Sequence, residues 1–140
     1  MTAYLIDLAS GLLYGVEGLV LMVLGYYVID LAIPGDLGRI LVHQRSRDAG
    51  LITAAGLVGI GMIVTVAIWN AEGDLLQGLA QAGGYGVVGI LLMGLSFKVI
   101  DAITPDNLGH IVASEADQPV AYMISATLVA LGAILAAAIS

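Results

Sequence analysis

The sequence contains no cysteine and very little charge. None of its 140 residues is cysteine, which excludes disulfides, thiol catalysis and thiolate metal sites. Only 11% of the residues are charged, less than half of the share of about 25% that soluble domains carry. The formal net charge of −7 argues against nucleic acid as a partner, because binding to a phosphate backbone requires clustered lysine and arginine.

Long apolar runs stand where a soluble protein would place its charges. Three runs carry no charge and a fourth carries only Glu17: Ala49–Ala71, Leu75–Phe97, Gln118–Ser140 and, with the glutamate, Leu8–Ile29. A helix of about 20 residues crosses the hydrocarbon core of a bilayer, and a spanning segment must be helical to satisfy its own backbone. The sequence therefore predicts an all-α integral membrane protein with four transmembrane helices.

Basic residues are confined to one side of this arrangement. They are Arg39, Arg45 and Arg47 after the first helix and Lys98 near the end of the third. The other side carries Asp7, Glu72 and Asp74. The positive-inside rule then predicts that both proline-containing loops are cytoplasmic and both termini are outside. Because no lysine or arginine precedes Arg39, the first helix lacks the basic start of a signal peptide and is expected to remain in the mature protein.

The chain also repeats itself. A shift of 71 positions aligns 14–42 with 85–113 without a gap, and 14 of those 29 positions are identical. Within one membrane domain spanning 1–140, this predicts two tandem helical hairpins, 5–71 and 75–140. Each hairpin crosses the membrane twice, so the second copy enters in the same direction as the first, and the repeat is a parallel one.

The duplicated segment carries a family resemblance. Its first copy reads IDLAIPGDLG between an apolar helix and a polar loop, and a glycine-rich apolar helix follows. This duplicated pattern resembles the YjfL-like bacterial inner-membrane proteins, also called domain of unknown function 350 or UPF0719. The second copy departs from it by reading TPDNLG, with Asp106 in place of Gly35. The resemblance implies a multi-pass protein of the bacterial inner membrane with no established catalytic activity.

Glu17 is the acidic residue placed deepest in a predicted span. It lies thirteen positions before Asp30, which puts it about 20 Å from the inner boundary of the membrane. An unpaired charge there costs about 3 kcal/mol, and intramembrane acids often mark ion or proton pathways. Tyr14, three residues earlier on the same helical face, is placed where it could hydrogen-bond it. The competing interpretation is a protonated, hydrogen-bonded structural glutamate, or one near a wet outer vestibule.

A second group of acids lies where the repeated helices end. Asp30 and Asp101 are repeat counterparts, and a parallel arrangement predicts that they surround one inner mouth, where they would concentrate cations. The alternative is a local structural role. Asp36 and Asn107 are better explained as helix caps that accept a backbone N–H.

The segments after these caps are short and amphipathic. The first carries Arg39, Arg45 and Arg47, which suit anionic headgroups or a cytosolic protein, although topogenic charge alone also explains them. The second carries Glu115 and Asp117 instead. Small residues recur at four-residue spacing and predict close helix packing, within the bundle and in a homo-oligomer. These are Gly11/Gly15, Gly78/Ala82/Gly86, Ala126/Ala130 and Gly132/Ala136.

These observations leave two functional hypotheses. The first is an oligomeric ion channel or ion-conducting pore, with Asp30 and Asp101 at the inner mouth and Glu17 along the path. The second is a structural scaffold or stress-response protein whose cytoplasmic loops bind a cytosolic peripheral protein or membrane lipid. We expect no enzymatic activity, metal or cofactor, because the sequence shows no catalytic triad, phosphate-binding loop or ligand-spaced cluster.

Overall fold

The computed structural model of the chain describes residues 1–33, 37–104 and 119–140. Four long helices fill most of these ranges: α1 (Thr2–Ala32), α2 (Arg47–Trp69), α3 (Leu75–Ile103) and α4 (Pro119–Ile139). Each is long and apolar enough to cross a membrane, so the prediction of four spanning helices is confirmed. A connecting segment joins α1 to α2 and consists of a helical turn, Leu37–Arg39, that continues into a π-helix, Ile40–Gln44.

Local sequence explains where the helices begin and end. Ser46 caps α2 by accepting a hydrogen bond from the backbone N–H of Ala49 (3.2 Å), and Asp74 caps α3 through Gln77 (3.0 Å). Ile33 and Thr104 are extended, and each stands before a proline, which disfavours the helical conformation of the residue that precedes it.

The helices pack as a bundle in which α2 and α3 lie at the centre. Both contact α1 on one side and α4 on the other. Gly25 faces Ile60 and Gly18 faces Val64, so α1 and α2 run antiparallel. Along α1 and α3, Leu21 faces Gly86 and Val28 faces Gly94, which makes these two helices parallel.

Large side chains fill the middle of the protomer. Ten large side chains of the described residues are fully buried, one from α1, three from α2, three from α3, one from α4 and two from the link between α1 and α2: Ile29, Ile52, Ile60, Ile63, Ile90, Met93, Phe97, Ile124, Ile33 and Leu37. Gly56 makes room for two of them, because a Cβ there would lie 2.9 Å from the ring of Phe97 and 3.0 Å from Ile29. The described centre of a single protomer is therefore packed and apolar.

The backbones of α2 and α4 approach each other closely. A Cβ added to Gly132 would overlap the backbone of Gly59, and one added to Gly59 would lie 3.1 Å from the carbonyl oxygen of Leu128. Such contacts hold helices together in lipid, where the hydrophobic effect does not drive their association. The small-residue prediction is thus confirmed for Gly132/Ala136 and for Gly78/Ala82/Gly86, which are buried. Gly11, Gly15, Ala126 and Ala130 are exposed in the protomer.

The tandem repeat stays a prediction from the sequence, although the α1–α3 contact constrains its form. Glu17 faces Gly83 and Leu21 faces Gly86, positions 66 and 65 residues later, whereas the repeat pairs positions 71 apart. Repeat counterparts on α1 and α3 are thus staggered by about five residues, or about 8 Å along the helices.

Candidate functional site

Glu17 lies in the contact between α1 and α3, within the membrane-spanning part of both helices. Its side chain is half-buried, and its Oε1 lies 2.8 Å from the position that a Cβ on Gly83 would occupy. Oε2 is fully buried and has no hydrogen-bond partner. Buried polar atoms nearly always have a partner, and each exception in a native structure calls for an explanation such as an ion, a water or a functional role.

The structure does not pair Tyr14 with Glu17. The hydroxyl of Tyr14 packs against Gly78, whereas the carboxyl group of Glu17 lies against Gly83, five residues further along α3. That separation is about 7.5 Å. The prediction of a hydrogen bond between Tyr14 and Glu17 is therefore wrong. A long helical side chain leans towards the N-terminus of its helix, and this lean carries the tyrosine hydroxyl away from the shorter glutamate.

A polar stripe runs along α1 from its N-terminal end to Glu17. Its members are Asp7, Ser10, Tyr14 and Glu17, spaced by three, four and three residues, so they share one face of the helix. Tyr14 and Glu17 show that this face turns towards α3. Only Tyr14 and Glu17 are predicted site residues, although the spacing of all four side chains is a helical period that the sequence contains.

The stripe ends at Glu17. The next residue on the same face is Leu21, which is 4% exposed and seated against Gly86. Val28 then packs against Gly94, and Phe97 is fully buried beside it. The polar face therefore reaches from one end of the bundle to Glu17. Between Glu17 and the opposite end of the bundle, the contact between α1 and α3 is packed with apolar side chains.

The second half of the chain has no equivalent site. The repeat counterparts of Tyr14 and Glu17 are Tyr85 and Val88, which are 53% and 50% exposed on the outer surface of α3. The stagger between α1 and α3 explains this difference, because it turns one polar face into the bundle and the other out of it. Among the described residues, Glu17 is the sole acid in the middle of a spanning helix, since the other acids lie at helix ends or in the loop between α2 and α3.

Asp30 has a structural role at the end of α1. Its Oδ1 accepts a hydrogen bond from the backbone N–H of Leu37 (2.9 Å), the first residue of the connecting segment. This hydrogen bond supports a local structural role for Asp30. Asp30 caps the start of the connecting segment by accepting from its first backbone N–H. The predicted caps Asp36 and Asn107 lie outside the described residues.

We expect Asp30→Ala to lower the free energy of unfolding by about 1.5–2 kcal/mol, because a hydrogen bond to a charged group is lost and the N–H of Leu37 is left unsatisfied. Denaturation in mixed detergent, compared with the wild type, measures this change. If the Asp30→Ala variant were as stable as wild type, the hydrogen bond from Leu37 would not stabilise the protein. The hypothesis that Asp30 lines the inner mouth of an ion path would then gain support.

Asp101 is half-buried near the end of α3 and has an interaction of its own. It does not share a level with Asp30. Val28 faces Gly94. Asp30 therefore lies two residues beyond this contact and Asp101 seven, which is a difference of about 7.5 Å along the helices. Their shared ion-path role stays a prediction, and a symmetric ring of the two acids does not fit this stagger.

The three arginines of the first loop are exposed at the end of the bundle where α1 finishes, which we call the basic end. Leu37 and Ile40 are buried and hold the connecting segment against the helices, while Arg39, Arg45 and Arg47 project outwards. Arg45 adopts a left-handed conformation (φ 51°, ψ 39°), which is uncommon for a residue with a side chain. The second amphipathic segment, with Glu115 and Asp117, lies outside the described residues.

We expect Arg45→Gly to raise the free energy of unfolding by about 1 kcal/mol, because glycine adopts the left-handed conformation without steric cost. Parallel denaturation of Arg45→Gly and Arg47→Gly provides the comparison. Arg47 lies in the first turn of α2, where glycine is unfavourable. An equal loss of stability in both variants would contradict this explanation.

Three buried polar residues were not anticipated from the sequence. Asp48 is 3% exposed in the first turn of α2, where a negative charge favours the helix dipole. The hydroxyls of Thr53 and Ser125 are buried without hydrogen-bond partners. All three stand beside or within apolar runs, and only the packing of neighbouring helices decides which polar side chain is covered.

Comparison with known proteins supports a membrane protein of uncharacterised activity. The chain is 27% identical over 129 residues to a UPF0719 transmembrane protein of Mycolicibacterium paratuberculosis, covering 92% of this chain and 85% of the relative. It is also 27% identical, over its full 140 residues and 92% of each relative, to UPF0719 transmembrane proteins of Mycobacterium bovis and Mycobacterium tuberculosis. No solved structure matches it significantly. The family described as Domain of Unknown Function (DUF350) matches residues 3–139, and the chain, a multi-pass transmembrane protein, belongs to this family.

Proposed function

We propose that the protein moves protons or small cations across the membrane, with Glu17 as the group that binds them. The observation that carries the proposal is the buried Oε2 of Glu17, which has no hydrogen-bond partner. Glu17 is the last member of the polar stripe and lies in the middle of α1. Acidic residues inside membrane spans are costly and commonly serve ion or proton transfer. The stripe supplies a route by which an ion can reach the carboxyl group from the end of the bundle opposite the basic end.

Conduction beyond Glu17 requires more than one protomer or a rearrangement. Leu21 and Phe97 close the protomer between Glu17 and the basic end. We therefore place the rest of the path between copies of the chain in a homo-oligomer, along the outer face of α1, whose many exposed apolar side chains a second copy would cover. In this proposal the basic end faces the cytoplasm of a bacterial cell, and the inner membrane holds the protein with both termini outside.

Ion flux in proteoliposomes tests the proposal. A membrane potential is imposed, internal pH and cation content are followed, and wild type is compared with Glu17→Gln and Glu72→Gln. Glu72 is exposed, and its recorded hydrogen bond uses its backbone N–H, so its variant loses a carboxylate at the same end without touching the site. We expect Glu17→Gln to abolish flux and Glu72→Gln to retain it. Equal flux in all three proteins would refute the role of Glu17.

A second candidate function is a scaffold. It is favoured by the exposed arginines Arg39, Arg45 and Arg47 in and after the connecting segment, which the buried side chains of Leu37 and Ile40 hold against the helices. In that case the segment binds a cytosolic peripheral protein or lipid, and charge reversal at Arg39, Arg45 and Arg47 abolishes recruitment while Glu17→Gln has no effect. Recruitment that survives charge reversal would exclude this candidate.

A further inference from the structure

Few oxygen atoms surround the carboxyl group of Glu17. On α3 the carboxyl group lies against Gly83, which has no side chain. The next residue of α1, Gly18, faces the aliphatic side chains of Val64 and Ile68 on α2. Among the groups in these contacts, the carboxyl group of Glu17 alone carries side-chain oxygen atoms.

A metal cation needs more oxygen ligands than this arrangement supplies. Ca²⁺ takes about six to eight and Mg²⁺ about six, and K⁺ in a channel is surrounded by carbonyl oxygens that replace its hydration shell. The backbone carbonyls in the middle of α1 and α3 are already used in helical hydrogen bonds. Within residues 1–33, 37–104 and 119–140, no three acidic or histidine side chains are grouped so that they could hold a metal ion.

A proton needs only one carboxyl oxygen, and Glu17 provides a suitable one. Its Oε2 is fully buried and has no hydrogen-bond partner, and a charge left unpaired in a membrane span is costly. A proton that bonds to Oε2 cancels the charge within the carboxyl group itself. A metal cation on the same oxygen would still require further ligands.

The polar stripe carries groups that can pass protons on. Hydroxyl groups both donate and accept hydrogen bonds, and the stripe has two of them, on Ser10 and Tyr14, between Asp7 and Glu17. Ser10 donates to the carbonyl oxygen of Ile6 (2.8 Å), and its own oxygen keeps lone pairs that can accept. The hydroxyl of Tyr14 lies about 7.5 Å along the helix from the carboxyl group, a gap that about one or two bridging waters span.

The neighbouring elements add no titratable group to this contact. The described contacts with the inward face of α1 come from glycines of α3 and aliphatic side chains of α2: Gly78, Gly83, Gly86, Val64 and Ile68. Glu72 and Asp74 lie in the loop between α2 and α3 and are exposed at the end of the bundle where the stripe begins. Together with Asp7 they make that end acidic, which raises the local concentration of protons.

We propose that the ion bound by Glu17 is a proton, and that Ser10 and Tyr14 relay it from water at the end opposite the basic end. A hydronium ion gives its proton to the hydrogen-bonded chain and becomes water. Each hydroxyl accepts one proton and releases its own, and the last proton forms an O–H bond with Oε2, which turns the carboxylate into a neutral carboxyl group. This inference rests on the proposed ion movement at Glu17 and names the ion.

Labelling with dicyclohexylcarbodiimide tests which ion Glu17 binds. This apolar reagent adds to protonated carboxyl groups in lipid, so the extent of labelling of the protein in proteoliposomes, measured by mass spectrometry, reports the proton on Glu17. Labelling is followed over a range of pH in sodium, potassium or choline chloride, and Glu17→Gln identifies label on other acids. We expect the label at position 17 to be lost as the pH rises and to be the same in all three salts. Protection by sodium or potassium would overturn the inference and leave Glu17 as a site for a small cation.

Proton flux tests the relay. Internal pH is followed in proteoliposomes under an imposed membrane potential for wild type, Tyr14→Phe and Tyr85→Phe. Phenylalanine keeps the ring and removes only the hydroxyl, and Tyr85, the repeat counterpart of Tyr14, is 53% exposed on the outer surface of α3. We expect Tyr14→Phe to slow proton flux about fivefold, the cost in rate of one lost hydrogen bond, and Tyr85→Phe to conduct like wild type.

Two further readouts separate the relay from a structural role of Tyr14. Tyr14→Phe should unfold like wild type in mixed detergent, and its Glu17 should reach the wild-type extent of labelling at low pH, because only the route to the carboxyl group changes. Ser10→Ala is the second relay variant if Tyr14→Phe fails to fold. Wild-type flux in the folded relay variant would overturn the relay. Absence of flux in wild type would refute the proposed function, whereas labelling would still decide between a proton and a metal cation at Glu17.

Discussion

Replacing Gly132 by leucine is expected to lower the free energy of unfolding by about 2–3 kcal/mol, because overpacking a tight contact displaces backbone and side chains. The backbones of α2 and α4 approach closely at this contact, and even a Cβ on Gly132 would overlap the backbone of Gly59. A leucine there separates α2 from α4 and removes the packing that holds them together in lipid. Unfolding in mixed detergent, followed by circular dichroism, measures the loss.

Gly61 offers a matched control. It aligns with Gly132 when the sequence is shifted by 71 positions, yet a Cβ at Gly61 meets nothing within 4 Å. We expect Gly61→Leu to keep wild-type stability or to gain up to about 1 kcal/mol from helix propensity. Two glycines that are equivalent in the sequence should thus respond in opposite ways. Similar losses in both variants would show that the α2–α4 contact is not as described.

Replacing Gly83 by valine is expected to reduce ion flux by about tenfold or more, since a change of 1.4 kcal/mol in the binding of an ion already amounts to a factor of ten. A Cβ at Gly83 would lie 2.8 Å from Oε1 of Glu17, the end of a flexible side chain. The carboxyl group therefore moves away while the helices keep their places. The stability of Gly83→Val should stay close to that of wild type, which separates displacement of the carboxyl group from misfolding.

Gly84→Val is the control for this experiment. Gly84 is the next residue of α3, and a Cβ there meets nothing within 4 Å. Both substitutions introduce the same β-branched side chain, so they share the same cost in helix propensity. We expect Gly84→Val to conduct like wild type. Equal flux in the two variants would mean that the position of the Glu17 carboxyl group does not matter for transport.

The sequence predicts the helices well because each apolar run is long enough to leave no other structure in lipid. Small-residue spacing also anticipates the buried faces of Gly78, Ala82 and Gly86. The spacing alone does not distinguish these buried positions from Gly11 and Gly15, which have the same spacing. A Cβ added to Gly11 or Gly15 would have no neighbour within 4 Å. The missing information is which helix lies opposite, and that depends on the stagger of α1 against α3.

The candidate site is predictable only in part. Glu17 stands out in an apolar run, and the three-four-three spacing back to Asp7 is a helical period that the sequence already contains. It is not predictable that Tyr14 packs against Gly78 while Glu17 packs against Gly83. These positions depend on side-chain length and on contacts between distant parts of the chain. For the same reason, the bond from Leu37 to Asp30 could not be foreseen.

Ion movement through Glu17 requires that ions in water can reach its carboxyl group. The chain has no cysteine, so Glu17→Cys and its repeat counterpart Val88→Cys each carry a single thiol without further changes. Proteoliposomes with each variant are treated with a membrane-impermeant, positively charged methanethiosulfonate, which reacts with the hydrated thiolate. We predict that the thiol at position 17 reacts and that the one at position 88, exposed on the outer surface of α3, does not. No reaction at position 17 under conditions where it forms after unfolding would contradict the account.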